Sequence, residues 1–241
     1  LMNDSVPADL DVAQEAYEEV MKSDDAEELL EELKESLHYT LDADMTYVSM
    51  LKAAKNNKFN REKLQAAFNR IQESDELFNG LFADVDLYSN RLGAGDQKQS
   101  ATVADVIKVL DGADLIHTEG DVLGNAYEYL IGQFASETGK KAGEFYTPQQ
   151  VSKILAKIVT LGKPKLKSVY DPTCGSGSLL LRVKREIGEV AHISGQELNQ
   201  TTYNLARMNM LLHNVKFDDF DIKQGNTLEN PQHMGKNFEA V

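Results

Sequence analysis

A short glycine-rich stretch holds the residues whose types and spacing are best suited to chemistry. Positions 169–178 read Val-Tyr-Asp-Pro-Thr-Cys-Gly-Ser-Gly-Ser, so an apolar strand ends at Asp171 and two glycines, Gly175 and Gly177, precede a predicted helix. Such glycines let the backbone turn tightly and approach a ligand closely. Glu197 follows 20 positions after Gly177, at the predicted end of the next strand. In a doubly wound sheet this spacing predicts that the loop and the carboxylate share the ligand-binding carboxyl edge.

The residue types favour a cationic nucleoside without phosphates as the ligand. Residues 175–180 lack the third glycine of a dinucleotide fingerprint, and the chain has no Gly-Lys-Ser/Thr of a P-loop. Asp171 would repel a phosphate but attract the ammonium and sulfonium groups of S-adenosylmethionine (SAM). Glu197 can accept hydrogen bonds from both hydroxyls of a ribose. We therefore predict SAM as the cofactor, with NAD, ATP or a glycine turn without a ligand as alternatives.

Composition and charge exclude several other classes of function. The 241 residues carry a formal net charge of −14, which disfavours a protein that grips DNA by bulk charge, because neutralising phosphates needs clustered Lys and Arg. Residues 1–44 hold 15 acidic and two basic side chains, so the remainder is nearly neutral. The acidic stretch indicates a solvated helix, with an acidic binding tail as the alternative. Most phosphate contacts are therefore expected to come from another chain.

The cysteine and histidine residues indicate neither disulfides nor a metal. Cys174 is the single cysteine, which suits a reducing cytoplasm, and it is expected to be a small loop residue rather than a nucleophile. The five histidines show no metal-ligand spacing. The chain also lacks an apolar run long enough to span a membrane. We expect a cytoplasmic protein without a metal site or a membrane partner.

Helical patterns fill the first half, and strand patterns begin only near residue 165. One helix is predicted over 8–38, a second is capped by Asn60, and two more are expected near 102–111 and 121–136. The last of these should bury its large apolar residues. They are Leu123, Tyr127, Leu130, Ile131 and Phe134. We expect a helical N-terminal domain over 1–140 and the N-terminal part of a SAM-binding domain over 141–241.

Strands and helices alternate in the second half. Thr147-Pro148-Gln149-Gln150 matches a capping box, with Thr147 as N-cap of a helix that runs to Leu161. Strands are expected over 167–170, 191–196 and 219–223 and from 238 onward, with helices over 179–187 and 199–213. This order predicts an α/β, Rossmann-like domain with a doubly wound, mainly parallel sheet and helices on both faces.

Four motifs in order resemble those of the modification (M) subunit of type I restriction–modification systems, an N6-adenine DNA methyltransferase. Residues 171–177 resemble the first SAM motif of that family, and residues 143–148 (Gly-Glu-Phe-Tyr-Thr-Pro) resemble its upstream SAM motif. Glu197 matches the ribose-binding acid, and residues 224–228 (Gln-Gly-Asn-Thr-Leu) resemble the segment near the adenine ring. Residues 121–131 resemble the helical region before the upstream motif.

The resemblance implies a set of cofactor-binding residues. The upstream group should wall the methionine and sulfonium side of SAM, the glycine loop should hold its amino-carboxylate, and the last group should lie near its adenine. The expected residues are Glu144, Phe145, Tyr146, Thr147, Pro148, Gln149, Asp171, Gly175, Ser176, Gly177, Ser178, Glu197, Asn226 and Thr227. Core aromatics remain the alternative for Phe145 and Tyr146, and a turn residue for Asn226.

The resemblance also implies a reaction and partners. A methyl group would pass from SAM to N6 of a flipped adenine in double-stranded DNA, and the partners would be a specificity (S) subunit, a restriction (R) subunit and a second M subunit. The family's Asn-Pro-Pro-aromatic catalytic motif is not found here, since Asn230-Pro231 lacks the second proline and the aromatic residue. We expect that motif after Val241, hence a fragment, no catalytic residue within this chain and no methyl transfer by it alone. The alternatives are an inert binding or assembly module and a SAM-dependent methyltransferase acting on RNA or protein.

Overall fold

The structure, a computed structural model, describes residues 10–112, 122–137 and 147–241. Contacts divide the chain into two compact units, Leu1–Thr118 and Glu119–Val241. The domain division expected between residues 140 and 141 stays a prediction, because both residues lie outside the described ranges. None of the helices in these ranges is both long and apolar enough to cross a lipid bilayer.

The first unit is built from helices. They are α1 (Leu10–Val20), α2 (Ala26–Leu37), α3 (Tyr47–Lys55), α4 (Arg61–Ser74) and α5 (Asp96–Asp111). Helices α3, α4 and α5 share one buried apolar cluster, to which Leu51, Ala67 and Ile107 belong. The hydrophobic effect on this cluster is the main force that holds the helices together.

The single helix predicted over 8–38 is wrong, because the chain breaks between α1 and α2. Ser23 Oγ donates to Val20 O at 2.8 Å and accepts from Asp25 N at 3.2 Å. Serine and aspartate side chains offer the backbone such local alternatives to the helix. Helix α2 has no buried residue, as expected for a helix whose acidic face is solvated.

The second unit alternates helices and strands. Its elements are α6 (Val122–Glu137), α7 (Gln149–Thr160), β1 (Leu166–Asp171), α8 (Ser178–Ile187), β2 (Val190–Glu197), α9 (Gln200–Leu212) and β3 (Phe220–Gln224). The strands form a parallel sheet in the order β1-β2-β3. Ala240 forms a parallel bridge with Val169 on the free edge of β1. Of the fourth strand predicted from residue 238, the structure contains this single bridge, on the side of β1 opposite to β2.

The two faces of the sheet differ in polarity. Val169 and Ile193 are register partners, and with Ile222 they belong to the apolar core that includes residues of α8 and α9. The opposite face presents the row Tyr170–Ser194–Asp221. The chain after β3 covers this row: Phe238 stacks on Tyr170 with ring centroids 4.7 Å apart.

The predicted capping box at the start of α7 is wrong. The helix begins at Gln149, and Pro148 occupies the cap position with φ −51° and ψ 136° and no side-chain cap hydrogen bond. The extended ψ of Pro148 keeps it out of the helix, so Thr147 lies one residue too early to cap the first turn.

The predicted core face of α6 is wrong in part. Leu123, Leu130 and Phe134 are exposed, whereas Ile131 is buried as predicted, and so is Glu128. Glu128 faces Arg185 at 3.7 Å and His213 at 4.0 Å. Because this buried carboxylate needs polar or charged partners, it turns toward α8 and α9, and part of the apolar stripe turns outward.

An alanine at Gly177 would test how tightly the start of α8 packs against α9. Its φ is +77°, and a Cβ atom there would lie 2.7 Å from Met210 Cε, whereas Gly162 has φ +73° with no atom within 4 Å of its Cβ position. Gly162→Ala should cost about 1 kcal/mol of unfolding free energy for the left-handed backbone alone. Gly177→Ala should cost about 1 kcal/mol more than that, at the low end of overpacking penalties, because the buried terminal methyl of Met210 must move to make room. Urea unfolding followed by circular dichroism measures both, and equal losses would contradict this packing.

Candidate SAM site

The loop after β1 has the turn geometry that its glycines predict. Asp171 ends the strand, and its Oδ1 accepts a hydrogen bond from Thr173 N at 2.9 Å. Gly175 and Gly177 both have positive φ, at 56° and 77°, a backbone conformation that residues other than glycine rarely adopt. Gly177 is the N-cap of α8. The first amides of α8 lack intrahelical acceptors, as at any helix N-terminus, and can receive an anionic ligand group.

Glu197 lies directly beside this loop at the end of β2. Its Oε2 accepts from Gly175 N at 3.0 Å, and its Oε1 accepts from Asn199 N at 2.8 Å. The side chain is buried at 9% exposure. A carboxylate has about four lone-pair positions, so each oxygen of Glu197 keeps capacity for a further donor such as a hydroxyl.

The site is electrostatically negative. Burial raises the pKa of Asp171, and the charge of Glu197 raises it further, against the opposing hydrogen bond from Thr173. Burial also raises the pKa of the Cys174 thiol, and Asp171 and Glu197 add to that rise. Cys174 is therefore held as a neutral thiol, as expected for a loop residue that is not a nucleophile.

The two serines of the loop turn inward. Ser176 and Ser178 are 1% and 7% exposed, and their hydroxyl oxygens lie 3.1 Å apart. Asn209 of α9, which is fully buried, donates from Nδ2 to Ser176 O at 2.9 Å. Sequence reasoning missed Asn209; an asparagine at a core position of a predicted helix was the available signal. The hydroxyls thus fix the loop, and its backbone is the part suited to contact a ligand.

The chain after β3 is tied to the same edge of the sheet. Gly225 N donates to Glu197 O at 2.9 Å, and Thr227 Oγ1 donates to Pro172 O. Asn226 Oδ1 accepts from Leu228 N at 3.1 Å, the geometry of a turn residue. Asn226 and Thr227 therefore lie close to the glycine loop, although 55 residues separate Thr227 from Pro172.

The upstream group is only partly described. Glu144, Phe145 and Tyr146 lie outside the described residues. Thr147, Pro148 and Gln149 stand at the start of α7, where Pro148 O accepts from Val151 N and Ser152 N. Among the described residues, no hydrogen bond joins these three to the loop after β1 or to Glu197. Their role in binding a cofactor stays a prediction, as it does for the whole predicted set.

The donors and acceptors suit SAM better than a phosphorylated nucleotide. Two neighbouring carboxylates, Asp171 and Glu197, favour a cation, while the glycine loop and the N-terminus of α8 suit a carboxylate. SAM offers an ammonium, a sulfonium, a carboxylate and a ribose, and no phosphate.

Comparison with known families decides the assignment. The sequence model of the N-6 DNA methylase family matches residues 118–241, about half of the chain. The chain belongs to this family. It is 38% identical over 196 residues to the type I restriction enzyme MpnII methylase subunit of Mycoplasma pneumoniae, covering 75% of this chain and 36% of that protein.

Solved structures agree with the family. The type I restriction–modification methyltransferase subunit of Streptococcus thermophilus superposes with a TM-score of 0.87 at 43% identity, over 95% of this chain and 50% of that one. A chain from a structural study of type I R-M complex assembly and conformational transition shares the fold with a TM-score of 0.53 at 22% identity, over 89% of this chain and 45% of that one.

These comparisons confirm the resemblance to type I modification subunits and the α/β fold class with its preceding helices. The chain spans about a third of the length of its Mycoplasma relative.

The raised pKa of Asp171 makes a pH-dependent prediction. The folded state holds a proton on this carboxyl more readily than the unfolded state does, so the carboxylate destabilises the fold once the pH exceeds its raised pKa. Asp171→Asn keeps the acceptor for Thr173 N and removes the charge. The variant should unfold at a higher temperature than the wild type at neutral pH, and this advantage should vanish as the pH falls below about 4.

Thermal unfolding across that pH range measures the effect. Asp218→Asn is the control, because Asp218 is exposed, and its difference from the wild type should not follow this profile. An Asp171→Asn advantage that is constant with pH, or that grows as the pH falls, would contradict the burial assigned to this carboxyl.

Proposed function

We propose that this chain forms the SAM-binding part of an enzyme that methylates N6 of adenine in double-stranded DNA. The observation that carries the proposal is the position of the Glu197 carboxylate. It accepts a hydrogen bond from Gly175 N at 3.0 Å, so it lies beside the glycine loop and can still accept hydrogen bonds from a ligand. Membership of the N-6 DNA methylase family supports the reaction class.

Each residue of the site has a proposed task. Asp171 pairs with the ammonium of SAM, and the backbone of Gly175, Ser176, Gly177 and Ser178 receives its carboxylate. Glu197 accepts hydrogen bonds from the ribose hydroxyls, a contact that also fixes the direction of the nucleoside. Asn226 and Thr227 would lie along the adenine, and residues 144–149 would wall the sulfonium side.

The contribution of the chain to the reaction is positional and electrostatic. When bound, SAM supplies an electrophilic methyl group on a sulfonium. The carboxylates of Asp171 and Glu197 would favour that cation over phosphorylated nucleotides, and the loop would hold it in one orientation relative to a flipped adenine, whose amino group would accept the methyl group. Correct positioning of reactants accounts for a large part of the rate in reactions of this kind.

The proposed partners are supported by relatives that are named methylase subunits of type I restriction enzymes. We propose an assembly with a specificity subunit, a restriction subunit and a second modification subunit on double-stranded DNA. The charge distribution supports this division of tasks: residues 45–241 are nearly neutral, so most contacts with phosphates would come from a partner.

Thermal unfolding with and without SAM tests the proposed site. At a SAM concentration of 100 times its dissociation constant, the wild-type chain should gain about 2.7 kcal/mol of stability. Glu197→Ala should lose most of that gain, because the ribose loses its acceptor and Gly175 N is freed. Each variant is compared with its own SAM-free unfolding temperature, so a general loss of stability does not enter the result.

Glu189→Ala provides the matched control. Glu189 is exposed and lies 3.5 Å from Lys165 Nζ, away from the carboxyl edge, and its SAM-induced gain should equal that of the wild type. A Glu197→Ala protein that gains as much as Glu189→Ala would refute the assignment of the carboxylate.

A further inference from the structure

Gln196 is a fully buried polar side chain that neither the family motifs nor the proposed function assigns. Its Nε2 donates to Gly225 O at 3.2 Å and to Asn230 O at 3.0 Å. Its Oε1 accepts from Gln232 N at 3.0 Å. All three partners are backbone groups of the segment 225–232, which follows β3.

The same residue is also joined to the glycine loop. Cys174 N donates to the backbone oxygen of Gln196 at 2.9 Å. Gln196 thus holds the loop after β1 through its main chain and the segment after β3 through its side chain. These are the two loops that carry Asp171 on one side and Asn226 and Thr227 on the other.

The chemistry of this position is restrictive. The side chain must offer two donors and one acceptor at full burial, and glutamine at this length provides them. An apolar residue would leave Gly225 O, Asn230 O and Gln232 N without this partner, and an unpaired buried polar group is costly. A glutamate would place a carboxylate against two carbonyl oxygens.

We propose that Gln196 is a positioning residue that latches the segment 225–232 over the carboxyl edge and so completes the nucleoside site before the ligand arrives. The latch itself is a property of the ligand-free chain; its effect on SAM affinity rests on the proposed function. Gln196 acts through Gly225 and its neighbours, and it need not touch the ligand.

Hydrogen exchange of the ligand-free chain tests the latch. In Gln196→Met, which keeps the length of the side chain and removes its three hydrogen bonds, amides of 225–232 should exchange about tenfold faster. Amides of β1 should keep their wild-type rates. Gln200→Met is the control, since Gln200 is exposed at the start of α9, and it should leave 225–232 unchanged. Unchanged exchange of 225–232 in Gln196→Met, or equal acceleration throughout the sheet, would overturn the proposal.

Gln196→Glu supplies a rescue that a merely structural role would not show. At about pH 8 the carboxylate repels Gly225 O and Asn230 O, so exchange of 225–232 should be fast. Burial raises the pKa of such a carboxyl, and the protonated acid can donate one hydrogen bond, so the ratio of variant to wild-type exchange rates should fall as the pH is lowered from about 8 to about 4. A ratio that stays constant or rises over that range would contradict the latch.

SAM titration by calorimetry then links the latch to the site. The dissociation constant should rise about tenfold in Gln196→Met and stay at the wild-type value in Gln200→Met. Wild-type affinity in Gln196→Met would overturn the part of the proposal that concerns the ligand. If the wild type itself bound no SAM, the proposed function would fail, while local acceleration of exchange in Gln196→Met would still establish the latch.

Discussion

Two backbone amides share the carboxylate of Glu197, and the arrangement of the carboxyl edge depends on that contact. Gly175 N and Asn199 N donate to its two oxygens, so the loop after β1 and the end of β2 have fixed relative positions. The main-chain oxygen of Glu197 accepts a hydrogen bond from Gly225 N, which attaches the chain after β3 to the same residue. One residue therefore joins three chain segments while keeping acceptor capacity for a ligand.

The carboxylates of Asp171 and Glu197 place two negative charges close together, and this does not stabilise the ligand-free fold. Asp171 is half-buried and lies within the field of Glu197, and both effects raise its pKa. A site tuned to a cation commonly lowers the stability of the ligand-free fold. A bound ammonium would offset the repulsion, and a phosphate would add to it. The electrostatics of the ligand-free site thus favour the same class of ligand as its geometry.

Periodicity and glycine positions predicted the second unit well, because its order β1-α8-β2-α9-β3 follows local signals that also hold in the folded state. Glu197 beside the loop was likewise predictable from the strand ends. Nonlocal polar contacts were not predictable from local patterns. The contacts of Glu128 with Arg185 and His213 set which face of α6 is buried. Asn209 could have been found as an asparagine at a core position of a predicted helix, whereas the buried amide of Gln196 makes its contacts with a segment more than 25 residues away, which no local pattern predicts.

The most direct test of the account is a crystal structure of this chain with SAM bound. We expect the ribose hydroxyls to lie within hydrogen-bond distance of Glu197, the ammonium next to Asp171 and the ligand carboxylate at the N-terminus of α8. A ligand bound elsewhere, or one whose ribose lies away from Glu197, would contradict the claim that this carboxylate and the glycine loop form a single nucleoside site.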